Sequence, residues 1–117
     1  MPPDPKVLDE LVRRIVEAVH PLRIILFGSA ARGEMGPNSD LDVLVVMPDG
    51  VHRRNTIGFL YERLYGLGVA KDIIVATESD LRIHADNIGL IYQTILREGK
   101  ELYNALLSDN GPDAPGD

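Results

Sequence analysis

The chain has 117 residues, a formal net charge of −6, 44% hydrophobic and 26% charged residues, a composition typical of one soluble globular domain. It contains no cysteine, which excludes disulfides, thiolate zinc sites and cysteine nucleophiles and is compatible with a cytoplasmic protein. Its 12 basic against 18 acidic residues make direct nucleic-acid binding unexpected, and no apolar run approaches the roughly 18 residues that a membrane span needs.

The first half of the chain predicts one helix and two strands. Apolar residues recur at three- and four-residue spacings over residues 4–19, where Asp4 is a plausible N-cap, and His20-Pro21 ends this helix. Residues 22–27 and 41–46 are short, branched and apolar, which is typical of buried strands. Between these strands we expect a break at 28–29, a short helical turn at 30–33 and a loop at 34–38.

The second half predicts a helix over 51–66, a strand over 73–76 entered through 69–72, and a further helical stretch to about Glu98. That stretch is capped by Thr77 or Ser79 and is broken near 87–89, and residues 101–103 form a short strand or a turn. We expect one domain over residues 1–106, followed by a disordered acidic tail over 107–117. The fold class is α/β (α+β), with a small mixed sheet flanked by helices.

Two aspartates at the start of the second predicted strand are the first candidates for chemistry. Asp40 and Asp42 are two residues apart, so their side chains point to the same side, about 7 Å apart along a strand. Two carboxylates on one surface repel each other unless a cation joins them, and Mg²⁺ prefers carboxylate oxygens, water and phosphates as ligands. The pair is therefore a candidate site for one or two Mg²⁺ ions held against a triphosphate.

A candidate phosphate site precedes these aspartates. Gly28 permits a sharp turn off the first strand and the close approach of a ligand, because it has no side chain. The amides that follow begin a helical turn and favour an anion, and the Ser29 hydroxyl adds a donor. A glycine-serine turn or a lone Asp-x-Asp is usually only structural, but their combination on these elements favours a nucleotide site.

The run FGSAARGEMGPNSDLDVLVV, with Gly-Ser, ten residues and Asp-x-Asp, resembles the signature of the DNA polymerase beta-like nucleotidyltransferase superfamily. It looks like the minimal nucleotidyltransferase (MNT) domains, which are often encoded beside a HEPN-domain protein as a toxin–antitoxin pair. The resemblance covers residues 5–105, and only residues 27–46 are highly specific. It implies the polymerase beta-like fold, a nucleoside triphosphate substrate, by default ATP, and a HEPN-type toxin as partner.

The resemblance also implies roles for individual residues. Ser29 becomes a phosphate ligand, and Asp40 and Asp42 become metal ligands. The family has a third carboxylate on a neighbouring strand, for which Asp72 is the best candidate, as metal ligand and as base for the attacking hydroxyl. The structural alternative is that Asp72 pairs with Lys71 or caps a strand.

Two further residues are counted with the nucleotide-binding group, and their roles stay open. Arg32 either neutralises triphosphate charge or locks the loop by pairing with an acidic side chain. Ser39 either caps the loop or orients Asp40.

Three functions are compatible with these residues. The first is a Mg²⁺-dependent transferase that moves a nucleoside monophosphate, by default AMP from ATP, to a hydroxyl of a partner protein, plausibly as the antitoxin of a HEPN/MNT pair. The second is a non-catalytic antitoxin or nucleotide-binding module that acts by covering its partner, and the third is a nucleotide sensor. A protein that acts only by covering its partner has no need for three converging carboxylates, so the sequence favours the enzyme.

Overall fold

The computed structural model describes residues 3–34, 40–83 and 90–107. The order of helices and strands in these ranges begins with a helix and ends with a strand. In chain order they are α1 (Pro5–Val19), β1 (Arg23–Phe27), α2 (Gly28–Ala31), β2 (Leu41–Met47), α3 (Arg53–Arg63), β3 (Lys71–Thr77), α4 (Glu78–Ile83), α5 (Leu90–Glu98) and β4 (Lys100–Asn104). None of the helices in these ranges is long and apolar enough to cross a bilayer.

The ends of α1 follow the predicted capping chemistry. The Asp4 carboxylate accepts a hydrogen bond of 2.9 Å from the backbone N–H of Lys6, and Pro5 occupies the first helical position. At the other end His20 adopts a left-handed conformation (φ 49°), and its N–H donates to the Val16 carbonyl at 3.0 Å. The helix is therefore stopped on the residue before Pro21, as expected.

The four strands form one mixed sheet in the order β3-β2-β1-β4. The β1 strand pairs antiparallel with both β2 and β4, whereas β2 pairs parallel with β3. The mixed sheet flanked by helices is thus confirmed. Of the two alternatives for residues 101–103, the strand is correct, because β4 completes the sheet along the outer edge of β1.

Both faces of the sheet are covered, because successive side chains of each strand point in opposite directions. On the first face, strand residues such as Leu26, Val43 and Val75 pack with side chains of α1 and α3, among them Leu11, Ile15, Leu60 and Leu64. On the second face, Ile25, Leu44, Val46 and Ala76 pack with Ile95 of α5 and, less deeply, with Leu81 of α4.

Several element boundaries differ from the sequence-based expectation. The first helical turn after β1 begins at Gly28 rather than residue 30, and α3 is shorter than 51–66. The helical stretch before Glu98 is capped by Thr77, not Ser79: the N–H of Thr77 donates to Asp80 Oδ2 at 2.9 Å, and that of Asp80 to Thr77 Oγ1 at 3.1 Å. Ser39, the expected break at 87–89 and the expected tail from residue 108 onward lie outside the described residues.

Candidate active site

The parallel pairing of β2 and β3 places two of the predicted carboxylates side by side. Asp42 is the direct partner of Asp72 across these strands, and on its other side Asp42 is the partner of Phe27 in β1. Side-chain alternation puts Asp42 on the same face as Leu44, and Asp72 on the same face as Ile74 and Ala76, which is the second face of the sheet. Two residues that are thirty positions apart in sequence thus become neighbours at one end of the sheet.

The third carboxylate, Asp40, shares this electrostatic environment. Asp40 lies one residue before β2 and is exposed, as is Asp72, whereas Asp42 is partly buried. The pKa of Asp42 is raised above its ordinary value, first by partial burial, then by the negative charges of Asp72 and Asp40. A cation would relieve both charge effects.

The turn after β1 is pressed against the Asp42 side chain. Gly28 has a positive φ of 72°, which favours glycine, and a Cβ atom added there would overlap with Oδ2 of Asp42. Ser29 follows at the start of α2 and is partly buried, and its carbonyl accepts from the N–H of Glu34 at 2.9 Å. The predicted phosphate-binding turn and the predicted metal-binding carboxylate are therefore in direct contact.

Arg32 forms an ion pair with Glu34, with 2.8 Å between Nε and Oε1. Of the two alternatives for Arg32, this contact is the pairing with an acidic side chain. Both side chains are more than half exposed, at 58% and 63%, and exposed pairs of this kind contribute little to stability. The guanidinium can therefore exchange Glu34 for an incoming anion at small cost.

Of the two structural alternatives for Asp72, the pairing with Lys71 is not formed among the described residues. Among the described residues no ion pair includes Asp72, and the Lys71 ammonium instead donates to the Val69 carbonyl at 3.4 Å. Two other acidic residues, Asp49 and Asp80, lie at the opposite end of the β2–β3 pair and have structural partners. Asp80 caps α4 and pairs with Arg53 at 3.1 Å, and Asp49 accepts two hydrogen bonds from Ser79.

The donor set fits Mg²⁺ by its chemistry, although its side chains are not gathered into a finished site. In the parts of the chain that the structure describes, no three His, Asp or Glu side chains stand close enough together to hold an ion without rearrangement. Asp40, Asp42 and Asp72 offer carboxylate oxygens only, which are the ligands that hard cations such as Mg²⁺ prefer. Two of them, Asp40 and Asp72, are exposed and free to change rotamer.

One contact at this site had no sequence signal. Tyr61 of α3 accepts a hydrogen bond of 2.9 Å on its hydroxyl from the backbone N–H of Ile73. Ile73 follows Asp72 in β3, which is an edge strand. Tyr61 thereby satisfies an outward-facing N–H of the edge strand and fixes the backbone next to Asp72.

A groove of about 200 Å³ adjoins the Gly28 turn on the second face. Its lining comes from the end of β1, from α2 and from α5: Phe27, Gly28, Arg32, Thr94, Ile95, Glu98 and Gly99. A larger cavity of about 640 Å³ lies between the start of α3 and Val75 and contains none of the predicted site residues. The groove is lined by both Gly28 and Arg32 of the candidate site, whereas another cavity, of about 420 Å³, is lined by Arg32 but not by Gly28.

The chain thus forms a small α/β domain with a mixed sheet. Its paired aspartates make an acidic site beside the glycine turn that is predicted to bind phosphate. The chain belongs to the nucleotidyltransferase domain family, whose model matches residues 7–101. No curated protein matches the chain.

Two solved structures share the fold. One is a protein from Sulfolobus solfataricus proposed to be a nucleotidyltransferase, with a TM-score of 0.61 and 19% identity over 87% of this chain and 81% of that one. The other is described as a toxin–antitoxin with AMP-PNP, with a TM-score of 0.64 and 20% identity over 83% of this chain and 73% of that one. At these identities the likeness shows a shared fold.

Proposed function

We propose that this chain is a Mg²⁺-dependent nucleotidyltransferase that moves a nucleoside monophosphate, with ATP as the expected donor, to a hydroxyl group of a partner protein. The observation that carries the proposal is the contact between the Gly28 turn and Asp42, with Asp72 as the neighbour of Asp42 on the next strand. A phosphate-binding turn and paired carboxylates are the two parts that transfer from a triphosphate requires.

We assign the metal site to Asp40, Asp42 and Asp72. Two bound Mg²⁺ ions would neutralise the charge of the triphosphate and lower the pKa of the acceptor hydroxyl. The raised pKa of Asp42 fits this assignment, because the neighbouring charges that raise it are those that a cation would neutralise.

The remaining roles belong to side chains on either side of Asp42. The Ser29 hydroxyl and the amides after Gly28 hold the phosphates, with Arg32 available once it leaves Glu34. For Ser39, both expected roles, capping the loop before Asp40 and orienting Asp40, stay open. Asp72, on the other side, takes the proton from the acceptor hydroxyl, whose oxygen forms a bond to the α-phosphorus while the bond to the bridging oxygen breaks and pyrophosphate leaves.

We further propose that the acceptor belongs to a toxin of the HEPN type and that this chain is its antitoxin. The support is the fold shared with a protein described as a toxin–antitoxin with AMP-PNP. The net charge of −6 also favours a protein acceptor over a nucleic acid.

The test is transfer of label from α-labelled ATP to a co-purified partner in the presence of Mg²⁺. The parent is compared with Asp42→Asn and with Asp9→Asn, a matched change at an exposed aspartate of α1. We expect labelling by the parent and by Asp9→Asn, and none by Asp42→Asn. Tight inhibition of the partner without any labelling by the parent would instead support the non-catalytic antitoxin.

A further inference from the structure

We infer that the groove beside Gly28 is the nucleoside subsite and that Glu98 of α5 selects the base. The inference rests on the proposed function, which it deepens by naming where the nucleoside lies and which bases it favours. It also implies that the acceptor approaches from the opposite side, over β3.

The order of the strands places the groove and the acceptor on opposite sides of the triphosphate. In the sheet order β3-β2-β1-β4, Asp72 lies on β3, Asp42 on β2, and the Gly28 turn at the end of β1. The groove begins at this turn and is closed by α5, which packs over β1 through Ile95. A triphosphate at Asp42 and Gly28 therefore has Asp72 on one side and the groove on the other.

The lining of the groove suits a base and its ribose. Phe27 and Ile95 provide apolar and aromatic surface, against which a planar base can stack. Thr94 and Glu98 are one helical turn apart on α5, so that a hydroxyl and a carboxylate face the same space. The volume of about 200 Å³ is below the range of about 300–1,000 Å³ for whole-ligand pockets, which fits part of a nucleotide with its phosphates outside.

The Glu98 carboxylate is free to engage a ligand. Its one described ion pair is with its neighbour Arg97, at 3.3 Å, and the side chains of Arg97 and Glu98 are 67% and 62% exposed. An ionised carboxylate only accepts hydrogen bonds. It therefore favours bases that present an amino group, namely adenine, guanine and cytosine, over uracil, whose single N–H is flanked by two carbonyl groups.

The first test separates the nucleoside from the phosphates. Thr94→Leu narrows the groove, and Gln93→Leu is the matched control on the same helix, at an exposed residue that does not line the groove. We expect Thr94→Leu to weaken Mg²⁺-ATP binding about tenfold and to leave binding of Mg²⁺-tripolyphosphate unchanged. Gln93→Leu should change neither.

The second test concerns the base. Binding of Mg²⁺ complexes of ATP, GTP, CTP and UTP is measured for the parent, Glu98→Gln, and Glu62→Gln as an exposed control on α3. We expect the parent to bind UTP roughly tenfold more weakly than the others, the scale of one hydrogen bond to a charged group. Glu98→Gln, whose amide can also donate, should largely remove this difference.

The outcomes distinguish the two proposals. Equal binding of all four nucleotides, with no effect of Thr94→Leu or Glu98→Gln, would overturn the nucleoside subsite and leave the transferase standing. No binding of any nucleotide or of tripolyphosphate by the folded parent would overturn both. Binding with the expected base order but without transfer to any partner would keep the subsite and remove the transferase.

Discussion

The two ends of the β2–β3 pair carry the same type of side chain in opposite circumstances. At the end remote from the Gly28 turn, here called the far end, Asp80 is bound to Thr77 and Arg53. Asp49 is bound to Ser79 there, and the Ser79 hydroxyl and N–H hold the pKa of Asp49 below its usual value. At the end beside the Gly28 turn, the near end, Asp42 has a raised pKa beside the carboxylates of Asp72 and Asp40.

This difference separates structural from functional carboxylates. Carboxylates that accept hydrogen bonds from the fold stabilise it, whereas neighbouring carboxylates without such donors destabilise it until a ligand arrives. The near end therefore has a free-energy cost that a bound cation removes, and the far end has none.

Asp72→Asn should slow nucleotide transfer by about 10²–10⁴-fold, the usual cost of losing a general base. Because Asp72 acts on the acceptor side, the variant should still bind Mg²⁺-ATP with nearly the parent affinity. Single-turnover transfer to the partner, measured beside ATP affinity, checks both statements. Full transfer activity would rule out this role for Asp72.

Gly28→Ala should weaken Mg²⁺-ATP binding roughly tenfold, because the added Cβ displaces the Asp42 carboxylate. Gly33→Ala is a close control: Gly33 has the same φ of 72°, but a Cβ there meets nothing within 4 Å. Both variants should lose about 1–2 kcal/mol of stability through backbone strain, and only the first should lose affinity. Equal affinities, measured calorimetrically on folded protein, would remove the Gly28 turn from the site.

Tyr61→Phe should lower the free energy of unfolding by about 0.5–1.5 kcal/mol, since the N–H of Ile73 loses its acceptor. If Tyr61 also positions Asp72, kcat should fall severalfold while the KM for ATP stays the same. Tyr65→Phe, at a side chain that is 86% exposed, should change neither quantity. A loss of stability without any change in kcat would leave Tyr61 a purely structural role.

Asp42→Asn and Asp49→Asn should change metal-free stability at neutral pH in opposite directions. The raised pKa of Asp42 means that the folded state binds more protons than the unfolded one, so this site loses stability as pH rises above the unfolded value of about 4. Asp42→Asn is therefore stabilising at neutral pH, with a gain that disappears in acid.

For Asp49 the sign is reversed, because its lowered pKa gives stability that is present above the unfolded pKa and is lost as pH falls through the folded pKa. Asp49→Asn should be destabilising at neutral pH and neutral in acid. Thermal unfolding at several pH values, with chelator present, measures both. The same sign for both variants would contradict the contrast between the two ends.

The local parts of this site could be predicted from sequence, because they depend on neighbouring residues. The strand at 41–46 and the break at Gly28 follow from apolar patterning and from glycine itself, and both are present. The position of Asp72 beside Asp42 depends on parallel pairing between strands that are separated by α3, and local pattern does not encode that pairing. The family resemblance, and not the spacing, therefore points to Asp72.

Other features escaped prediction because they are tertiary. Residues 101–103 have too few apolar side chains to be a certain strand, and β4 forms because β1 offers it an open edge. The hydrogen bond between Tyr61 and Ile73 joins a helix to a strand. The residue pattern within one element does not predict a hydrogen-bond partner in another element. The groove likewise exists only once α5 lies over the end of β1.

The most direct test of the central claim is calorimetric titration of Mg²⁺-ATP into the parent, Asp40→Asn/Asp42→Asn and the far-end control Asp49→Asn. If the near-end carboxylates hold the metal and the triphosphate, the double variant should fold and show no Mg²⁺-dependent ATP binding, while Asp49→Asn binds like the parent. Unchanged ATP affinity in the folded double variant would contradict the account.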